Sequence, residues 1–280
     1  MDQNRAVTKT LRLDAHVYRN FPADYSLDVP AEGFGGWTTV PVELPLAETA
    51  LVSMHAWDYG TRERFPTLYA TEEYVTRARA ILRSVFPPLL AAARGAGLTV
   101  LHVVGGGDYY KDLPAYRRAA EMAGAAPEFV GEAPHSDANI AFRRLKADLA
   151  RPVPKCAGGG EGEWKADFAP EARPMPGEGV AENADQLSAL CREAGVSHLV
   201  YIGFYINWCL LTSAGGMRDM ARRWYFCSTI RDATTAVENK ESARTEAFKE
   251  EALWRVATGY GFVFDSAPFI VALRAARTAP

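Results

Sequence analysis

Short apolar segments alternate with amphipathic segments over residues 49–265 of this 280-residue chain. The apolar segments have the composition of buried parallel strands, and two of them end in polar residues. They predict strands at TALVSMHAWD (49–58), LTVLHVV (98–104), HLVYIGFY (198–205), YFCSTIRDAT (225–234) and FVFD (262–265).

The amphipathic segments carry apolar residues at the spacing of helices. They predict helices at 71–97, 184–195, 208–224 and 242–260. The first is interrupted by Pro87 and Pro88, and the second ends at Gly195 as a helix C-cap. Strands that alternate with helices predict an α/β fold, in which helices flank a mainly parallel sheet on both faces. We therefore expect a Rossmann-like three-layer domain.

Two regions lack this alternation. Residues 1–48 mix short β-prone pieces with Pro, Gly and Asp, and we interpret them as an irregular arm that packs on a domain formed by 49–280. Residues 105–182 are rich in Gly, Pro and charged residues. Because long insertions in α/β units are usually functional, we expect a lid or an interface there.

The charge balance argues against polyanionic partners. Thirty-one basic residues against 34 acidic ones give a formal net charge of −3, and no basic run interleaves with aromatic residues, so we expect no nucleic-acid partner. No apolar stretch is long enough to span a bilayer, and the N-terminus lacks a signal-peptide core, so we expect a cytoplasmic protein without membrane contact. The four cysteines, Cys156 among them, are widely separated, which indicates reduced thiols.

Candidate chemistry lies where the predicted strands end, because ligands of parallel sheets bind at the carboxyl ends of the strands. Cys209 follows strand 198–205 and opens a predicted helix. Helix N-termini carry unpaired N–H groups and a positive partial charge, so we expect a lowered thiol pKa and a place for an oxyanion. The alternative is a small buried core residue.

The first predicted strand ends in a second group of candidates. His55 is suited to be a base or a structural residue, and Asp58 is suited to be a base or a turn cap. Trp57 and Trp208 are suited to line a pocket for a planar substrate or to pack in the core. The glycines at 105–107 fit no phosphate-binding loop, and no His, Cys or carboxylate spacing fits a metal, so we expect neither a metal nor a cofactor.

The segment Gly203-Phe-Tyr-Ile-Asn-Trp-Cys209, followed further on by Arg231-Asp232-Ala233-Thr234, resembles the isochorismatase-like cysteine hydrolases, a family that includes nicotinamidases and N-carbamoylsarcosine amidohydrolases. In that family a strand ends in a glycine, a turn with a cis peptide follows, and the nucleophilic cysteine opens the next helix. The strand at 49–58 matches the family's first strand, so the resemblance covers about 49–265 and implies an isochorismatase-like fold.

The resemblance implies a triad of cysteine, aspartate and lysine that attacks an amide carbonyl through a thioester. Cys209 stands at the nucleophile's position, His55 stands at the aspartate's, and Asp58 follows three residues later. No lysine stands at the lysine's position, where Glu178 is the nearest ionisable residue. Lys165 fills that role only if the preceding loop carries extra residues.

The leading hypothesis is a cysteine hydrolase of the C–N bond in a small amide-like substrate, with Cys209 as nucleophile and His55 or Asp58 as base. The backbone N–H groups of Ile206 and Cys209 are the expected oxyanion hole. The expected substrate-contacting residues are Trp57, Tyr205, Ile206, Trp208 and Glu178.

Two alternatives stay open. The altered aspartate and the missing lysine suit an inactive relative that serves as a binding or assembly module. Ether hydrolysis of the isochorismatase type does not require the cysteine. The resemblance also implies self-association, so we expect a homo-oligomer.

Overall fold

The structure, a computed structural model, describes residues 9–124, 136–150 and 164–278. Cys156 and parts of the segment 105–182 lie outside these ranges. The strands are β1 (Thr10–Arg19), β2 (Gly36–Pro45), β3 (Thr49–Met54), β4 (Thr99–Val103), β5 (Gly179–Ala181), β6 (His198–Phe204), β7 (Phe226–Thr235) and β8 (Val263–Phe264). The helices are α1 (Pro66–Thr71), α2 (Val75–Ser84), α3 (Phe86–Ala96), α4 (Pro114–Ala123), α5 (Asp137–Ala150), α6 (Ala184–Ala194), α7 (Met217–Ala221), α8 (Ala247–Gly259) and α9 (Ser266–Thr278).

The strands form one sheet in the order β2-β1-β8-β7-β6-β3-β4-β5. The strands from β3 to β8 pair in parallel, which confirms the predicted mainly parallel sheet. Each face of the sheet carries a hydrophobic core, one shared with α2, α3 and α9 and the other with α4, α6 and α8. In β3, for example, Leu51 belongs to the first core and Val52 to the second. The three-layer α/β fold is therefore confirmed.

The helix boundaries follow local chemistry in two cases. The predicted helix at 71–97 divides at Val85 into α2 and α3, and Pro87 lies in the first turn of α3, where a missing N–H costs nothing. Gly195 ends α6 with φ 69°, a left-handed conformation that glycine adopts without strain. Both agree with the sequence-based expectations.

The N-terminal segment differs from the irregular arm that we expected. β1 and β2 form a ten-residue antiparallel pair, and His16 of β1 pairs with Val263 of β8. The two strands therefore extend the central sheet, since a β-prone piece placed next to an open sheet edge satisfies its backbone groups by pairing with it. The interpretation as an irregular arm is corrected accordingly, whereas the domain boundary at residue 48 stays a prediction.

The predicted helix at 208–224 is also wrong in its extent. The chain forms one wide helical turn at Ile206–Leu210, breaks at Gly215 with φ 77°, and resumes as the five-residue α7. Two adjacent glycines, Gly215 and Gly216, lower the helical propensity at the break. No long helix therefore begins at Cys209.

The chain order of the parallel strands creates a topological switch point. From β3 the chain proceeds to β4 and β5 on one side, and it then returns to β6 on the other side of β3 before adding β7 and β8. Crossovers that leave in opposite directions open a crevice above the carboxyl ends of β3 and β6. The segments after Met54 and after Phe204 thus lie at the edge of the sheet where α/β proteins bind their ligands.

Candidate active site

The turn after β6 is built by close backbone packing. Gly203 has φ 119°, and a Cβ there would lie 1.9 Å from the Met54 carbonyl oxygen, so only glycine fits between β6 and β3. The peptide between Phe204 and Tyr205 is cis, as the family resemblance implies. The Asn207 side chain then clamps Val237, because its Nδ2 donates to the Val237 carbonyl (2.9 Å) and its Oδ1 accepts from the Val237 N–H (3.0 Å).

Cys209 lies in this clamped turn and is 9% exposed. Burial raises the pKa of its thiol above the ordinary value, and hydrogen bonds involving Ser213 and Tyr205 only partly offset that effect. The expectation of a lowered pKa is therefore corrected. It rested on a long helix dipole, and a single helical turn supplies little of one.

Three tyrosines lie near Cys209. The rings of Tyr74 and Tyr205 lie 4.5 Å apart, and those of Tyr59 and Tyr74 lie 5.9 Å apart in an edge-to-face arrangement. Electrostatic coupling to Cys209 raises the pKa of both Tyr59 and Tyr74, in addition to the larger effect of burial. We call Tyr59, Tyr74 and Tyr205 the tyrosine cluster.

Tyr59 is the most deeply buried member of the tyrosine cluster, with 1% exposure. Its hydroxyl makes no hydrogen bond of normal geometry, although Tyr74 lies close enough to raise its pKa. Burial is the largest cause of that increase. The phenol is consequently neutral at physiological pH and has a donor to offer.

His55 follows β3 directly, with φ 50° and a side chain that is 9% exposed. Its ring stacks on Trp57 at 4.7 Å, and its Nε2 lies close to Gly105. Burial lowers the pKa of His55 to about 4, against a smaller opposing effect of the Val104 backbone, so the imidazole is neutral. Its Nδ1 has no hydrogen-bond partner among the described residues, the Cys209 thiol included.

The chain segment 164–169 returns to the site as a neighbour of the residues after β3. The Asp58 N–H donates to the Asp167 carbonyl (2.8 Å), and Trp57 pairs with Phe168 in an antiparallel bridge. The Trp57 indole donates to the Gly105 carbonyl (3.1 Å). These bonds fix the chain at Trp57 and Asp58, directly after His55.

Asp58 and Lys165 have different surroundings at the carboxyl edge of the sheet. Asp58 Oδ1 accepts from the Gly60 N–H (2.9 Å), which is the turn-capping alternative considered from the sequence. Lys165 is exposed and follows Trp164, whose indole donates to the Asp58 carbonyl (2.8 Å) and whose ring lies 6.2 Å from that of Tyr59. The loop therefore brings Lys165 to the carboxyl edge of the sheet.

Glu178 lies away from this edge. It precedes Gly179 at the start of β5, whereas Ala181 at the other end of β5 is level with Val103. Its carboxylate pairs with Arg94 at 2.7 Å and with His102 at 2.8 Å. Burial alone would raise its pKa, but these partners lower it to about 2. The expected substrate-binding role of Glu178 is corrected, because its oxygens are committed to a structural ion pair.

The remaining residues that were expected to contact the substrate have different surroundings in the structure. Ile206 is fully buried in the core of the turn, and Tyr205 belongs to the tyrosine cluster. The amides of Trp208 and Leu210 both donate to the Tyr205 carbonyl, and an oxyanion role for the amides of Ile206 and Cys209 stays a prediction. Trp208 is 60% exposed and lines an open cleft of about 350 Å³ towards α8.

Sequence reasoning missed three residues at the site. Tyr59 and Tyr74 belong to the tyrosine cluster, and Ser213 lies one helical turn after Cys209, close enough to lower its pKa. The position of Tyr59 directly after the Asp58 turn was the available signal. Tyr74 and Ser213 carry no signal that a pattern reveals.

Within residues 9–124, 136–150 and 164–278, no group of three or more His, Cys, Asp or Glu side chains is arranged to hold a metal ion. No helix in those ranges has the length and apolar character needed to cross a membrane.

Known proteins resemble the chain over about two thirds of its length. It is 27% identical over 187 residues to the ureidoacrylate amidohydrolase RutB of Pantoea ananatis, which is 64% of this chain and 64% of that protein. It is 26% identical over 188 residues to the ureidoacrylate amidohydrolase RutB of Caulobacter vibrioides, covering 65% of this chain and 72% of that protein. The match thus spans less than two thirds of the Pantoea relative's length. No family model matches the chain.

Solved structures with a similar arrangement include a cysteine hydrolase from Pseudomonas syringae pv. phaseolicola, at 16% identity and a TM-score of 0.46, covering 82% of this chain and 94% of that one. Another is an isochorismatase family protein from Desulfovibrio vulgaris, at 19% identity and a TM-score of 0.46, covering 81% of this chain and 98% of that one. The sequence matches, together with the glycine, the cis-peptide turn and the cysteine after β6, support the resemblance of this chain to the isochorismatase-like family.

Proposed function

We propose that this protein hydrolyses the C–N bond of a small amide-like substrate, with Cys209 as the nucleophile. One observation carries the proposal: Cys209 lies at the switch point of the sheet, in the turn that the Asn207 clamp holds against Val237. The similarity of the chain to ureidoacrylate amidohydrolases supports this reaction class.

The reaction proceeds in two balanced steps. Cys209 Sγ attacks the carbonyl carbon, the C–N bond breaks, and the thiol proton passes to the leaving nitrogen, which leaves as an amine or ammonia with a thioester on the enzyme. Water then attacks the thioester, the acid is released, and the sulfur regains a proton. Because burial raises the pKa of Cys209, the proton must leave during the attack and not before it.

His55 is proposed to relay that proton, because it follows Met54, which pairs with Gly203 near the end of β6. Its pKa of about 4 keeps the imidazole neutral at pH 7, and its unpartnered Nδ1 is able to accept a proton. Asp58 is less suited, since its carboxylate caps the turn at Gly60. Lys165 directly follows Trp164 in the chain. It is proposed to take the place of the family's lysine when its side chain turns towards Cys209.

Variants of two buried cysteines test the proposal. Cys209→Ala should abolish release of amine or ammonia from a panel of amides and ureides. Cys191→Ala should retain it, because Cys191 lies on the buried face of α6 and packs in the core. Activity that survives in Cys209→Ala would contradict the thiol mechanism and point to hydrolysis without the cysteine.

A binding or assembly module is the second candidate function. The raised pKa of Cys209 favours it, because a module needs no thiolate. Tight binding of an amide without turnover and without a covalent adduct would select this alternative. Self-association and a cytoplasmic location also stay predictions.

A further inference from the structure

We propose that the Tyr59 hydroxyl binds the carbonyl oxygen of the substrate beside Cys209, and that the acyl part entering the tyrosine cluster is uncharged. This inference rests on the proposed role of Cys209 and names the residue and the substrate class that complete it.

Tyr59 is enclosed on several sides by aromatic rings. Its ring centre lies 5.9 Å from that of Tyr74, 6.2 Å from that of Trp164 and 6.3 Å from that of Phe204. Cys209 is near enough to influence the titration of Tyr59. The phenol and the thiol therefore belong to the same small region at the carboxyl edge of the sheet.

The Tyr59 hydroxyl is an exception among buried phenols of this protein. Tyr201 is equally buried, and its hydroxyl donates to the Gly215 carbonyl at 2.8 Å. The Tyr59 hydroxyl has no hydrogen bond of normal geometry within the described ranges, although the Tyr74 hydroxyl is near enough to affect its titration. Buried polar groups are nearly always hydrogen-bonded, because an unpaired one loses its hydration without compensation. A ligand acceptor oxygen would remove that penalty.

The chemistry of the phenol selects the kind of acceptor. Burial keeps it protonated, so it donates to a neutral oxygen such as that of an amide or a ureide. When Cys209 attacks, negative charge develops on that same oxygen, and a fixed donor stabilises it. Tyr59 thus serves both binding and the first chemical step.

The surroundings disfavour an ionised acyl part. The cluster itself consists of phenols, and the neighbouring His55 is neutral. Glu72 is close enough to raise the pKa of Tyr74, so its field repels anions. Arg77, three residues after Tyr74, is paired with Glu73 and with Glu246, and Lys165 is exposed at the rim of the site. An ionised carboxylate inside the cluster would therefore be buried among neutral phenols, which is costly.

Alkylation of the Cys209 thiol tests both the hydrogen bond from Tyr59 and the preference for an uncharged group, and it does not need the natural substrate. Iodoacetamide and iodoacetate have nearly the same shape and differ in charge, and methyl methanethiosulfonate reacts with thiols without a carbonyl group. The rate at which each reagent modifies Cys209 is followed by peptide mass spectrometry and divided by its rate with glutathione. The variants are Tyr59→Phe and, as the matched control, Tyr69→Phe, whose hydroxyl donates to the Gly60 carbonyl at 3.1 Å.

The expected result is a normalised rate for iodoacetamide at least about tenfold above that for iodoacetate in the unaltered protein. Tyr59→Phe should lower the iodoacetamide rate by about tenfold, the effect of one hydrogen bond, and leave the methanethiosulfonate rate unchanged. Tyr69→Phe should leave the rates of all three reagents unchanged.

Each other outcome has a defined meaning. Equal slowing of all three reagents in Tyr59→Phe would overturn the hydrogen bond to the carbonyl. Equal normalised rates for iodoacetamide and iodoacetate would overturn the uncharged class. If none of the reagents modifies Cys209, the proposed function itself fails. A urea midpoint of Tyr59→Phe that falls below that of the unaltered protein would overturn the inference that the Tyr59 hydroxyl is free for a ligand.

Discussion

Replacing Tyr59 by Phe should stabilise the folded protein. The change removes one buried hydroxyl that makes no hydrogen bond of normal geometry among the described residues, and the phenylalanine ring keeps the contacts with Tyr74, Trp164 and Phe204. An unsatisfied buried polar group costs about 1–3 kcal/mol, so the free energy of unfolding should rise by roughly 1–2 kcal/mol after allowance for local relaxation.

Tyr201→Phe is the opposite case in an equally buried phenol. It removes a hydrogen bond of 2.8 Å and leaves the Gly215 carbonyl without that donor. By the same reasoning, the free energy of unfolding should fall by about 1–3 kcal/mol. The two variants share the same chemical change and comparable burial, so their difference isolates the hydrogen bond.

Urea unfolding measured by tryptophan fluorescence distinguishes the two. With a slope of roughly 3 kcal/mol per molar urea, the midpoint of Tyr59→Phe should rise by about 0.3–0.7 M and that of Tyr201→Phe should fall by about 0.3–1 M. If Tyr59→Phe lowers the midpoint as much as Tyr201→Phe, the Tyr59 hydroxyl has a partner in the folded protein. The inference of a donor reserved for a ligand would then be refuted.

Three further perturbations have defined outcomes. Asn207→Ala removes both hydrogen bonds to Val237 and should cost about 1–3 kcal/mol in urea unfolding, while speeding alkylation of the loosened turn; an unchanged midpoint would show that the clamp is not needed. The folded pKa values of His55 and His198 are lowered to about 4, below the ordinary 6.5, so the unfolded chain binds more protons between these values. Stability should be complete above pH 6.5 and fall towards pH 4 by at most about 3 kcal/mol for each histidine; a flat series of urea midpoints would contradict those shifts. Glu178→Gln should lower the urea midpoint and leave alkylation at the switch point unchanged, and slower alkylation would return this residue to the site.

The pattern of apolar residues was sufficient to predict the central sheet. Runs such as 199–204 are largely apolar because both faces of a parallel strand are covered by helices, and this local composition is visible without any long-range information. The position of Cys209 after that strand followed from the same pattern. The order of the strands then brought Cys209 and His55 to one edge, as the switch-point rule implies.

Long-range contacts decided the features that the sequence did not reveal. Glu178 lies in a Gly- and Pro-rich stretch, and nothing local indicates that Arg94 and His102 claim its carboxylate. The helix expected at 208–224 had suitable apolar spacing, but the glycine pair at 215–216 broke it. Burial of Cys209, which raises its pKa, depends on tyrosines that are distant in sequence, Tyr59 and Tyr74.

The most direct test of the thiol's role is to trap an acyl group on it. The protein is mixed with a panel of uncharged amides, ureides and activated esters, quenched in acid within a single turnover, and digested for peptide mass spectrometry. A thioester adduct should appear on the peptide that contains Cys209 in the unaltered protein and in Cys191→Ala. Turnover of any of these substrates without an adduct on that peptide, or an adduct on another residue at the same rate, would contradict nucleophilic catalysis by Cys209.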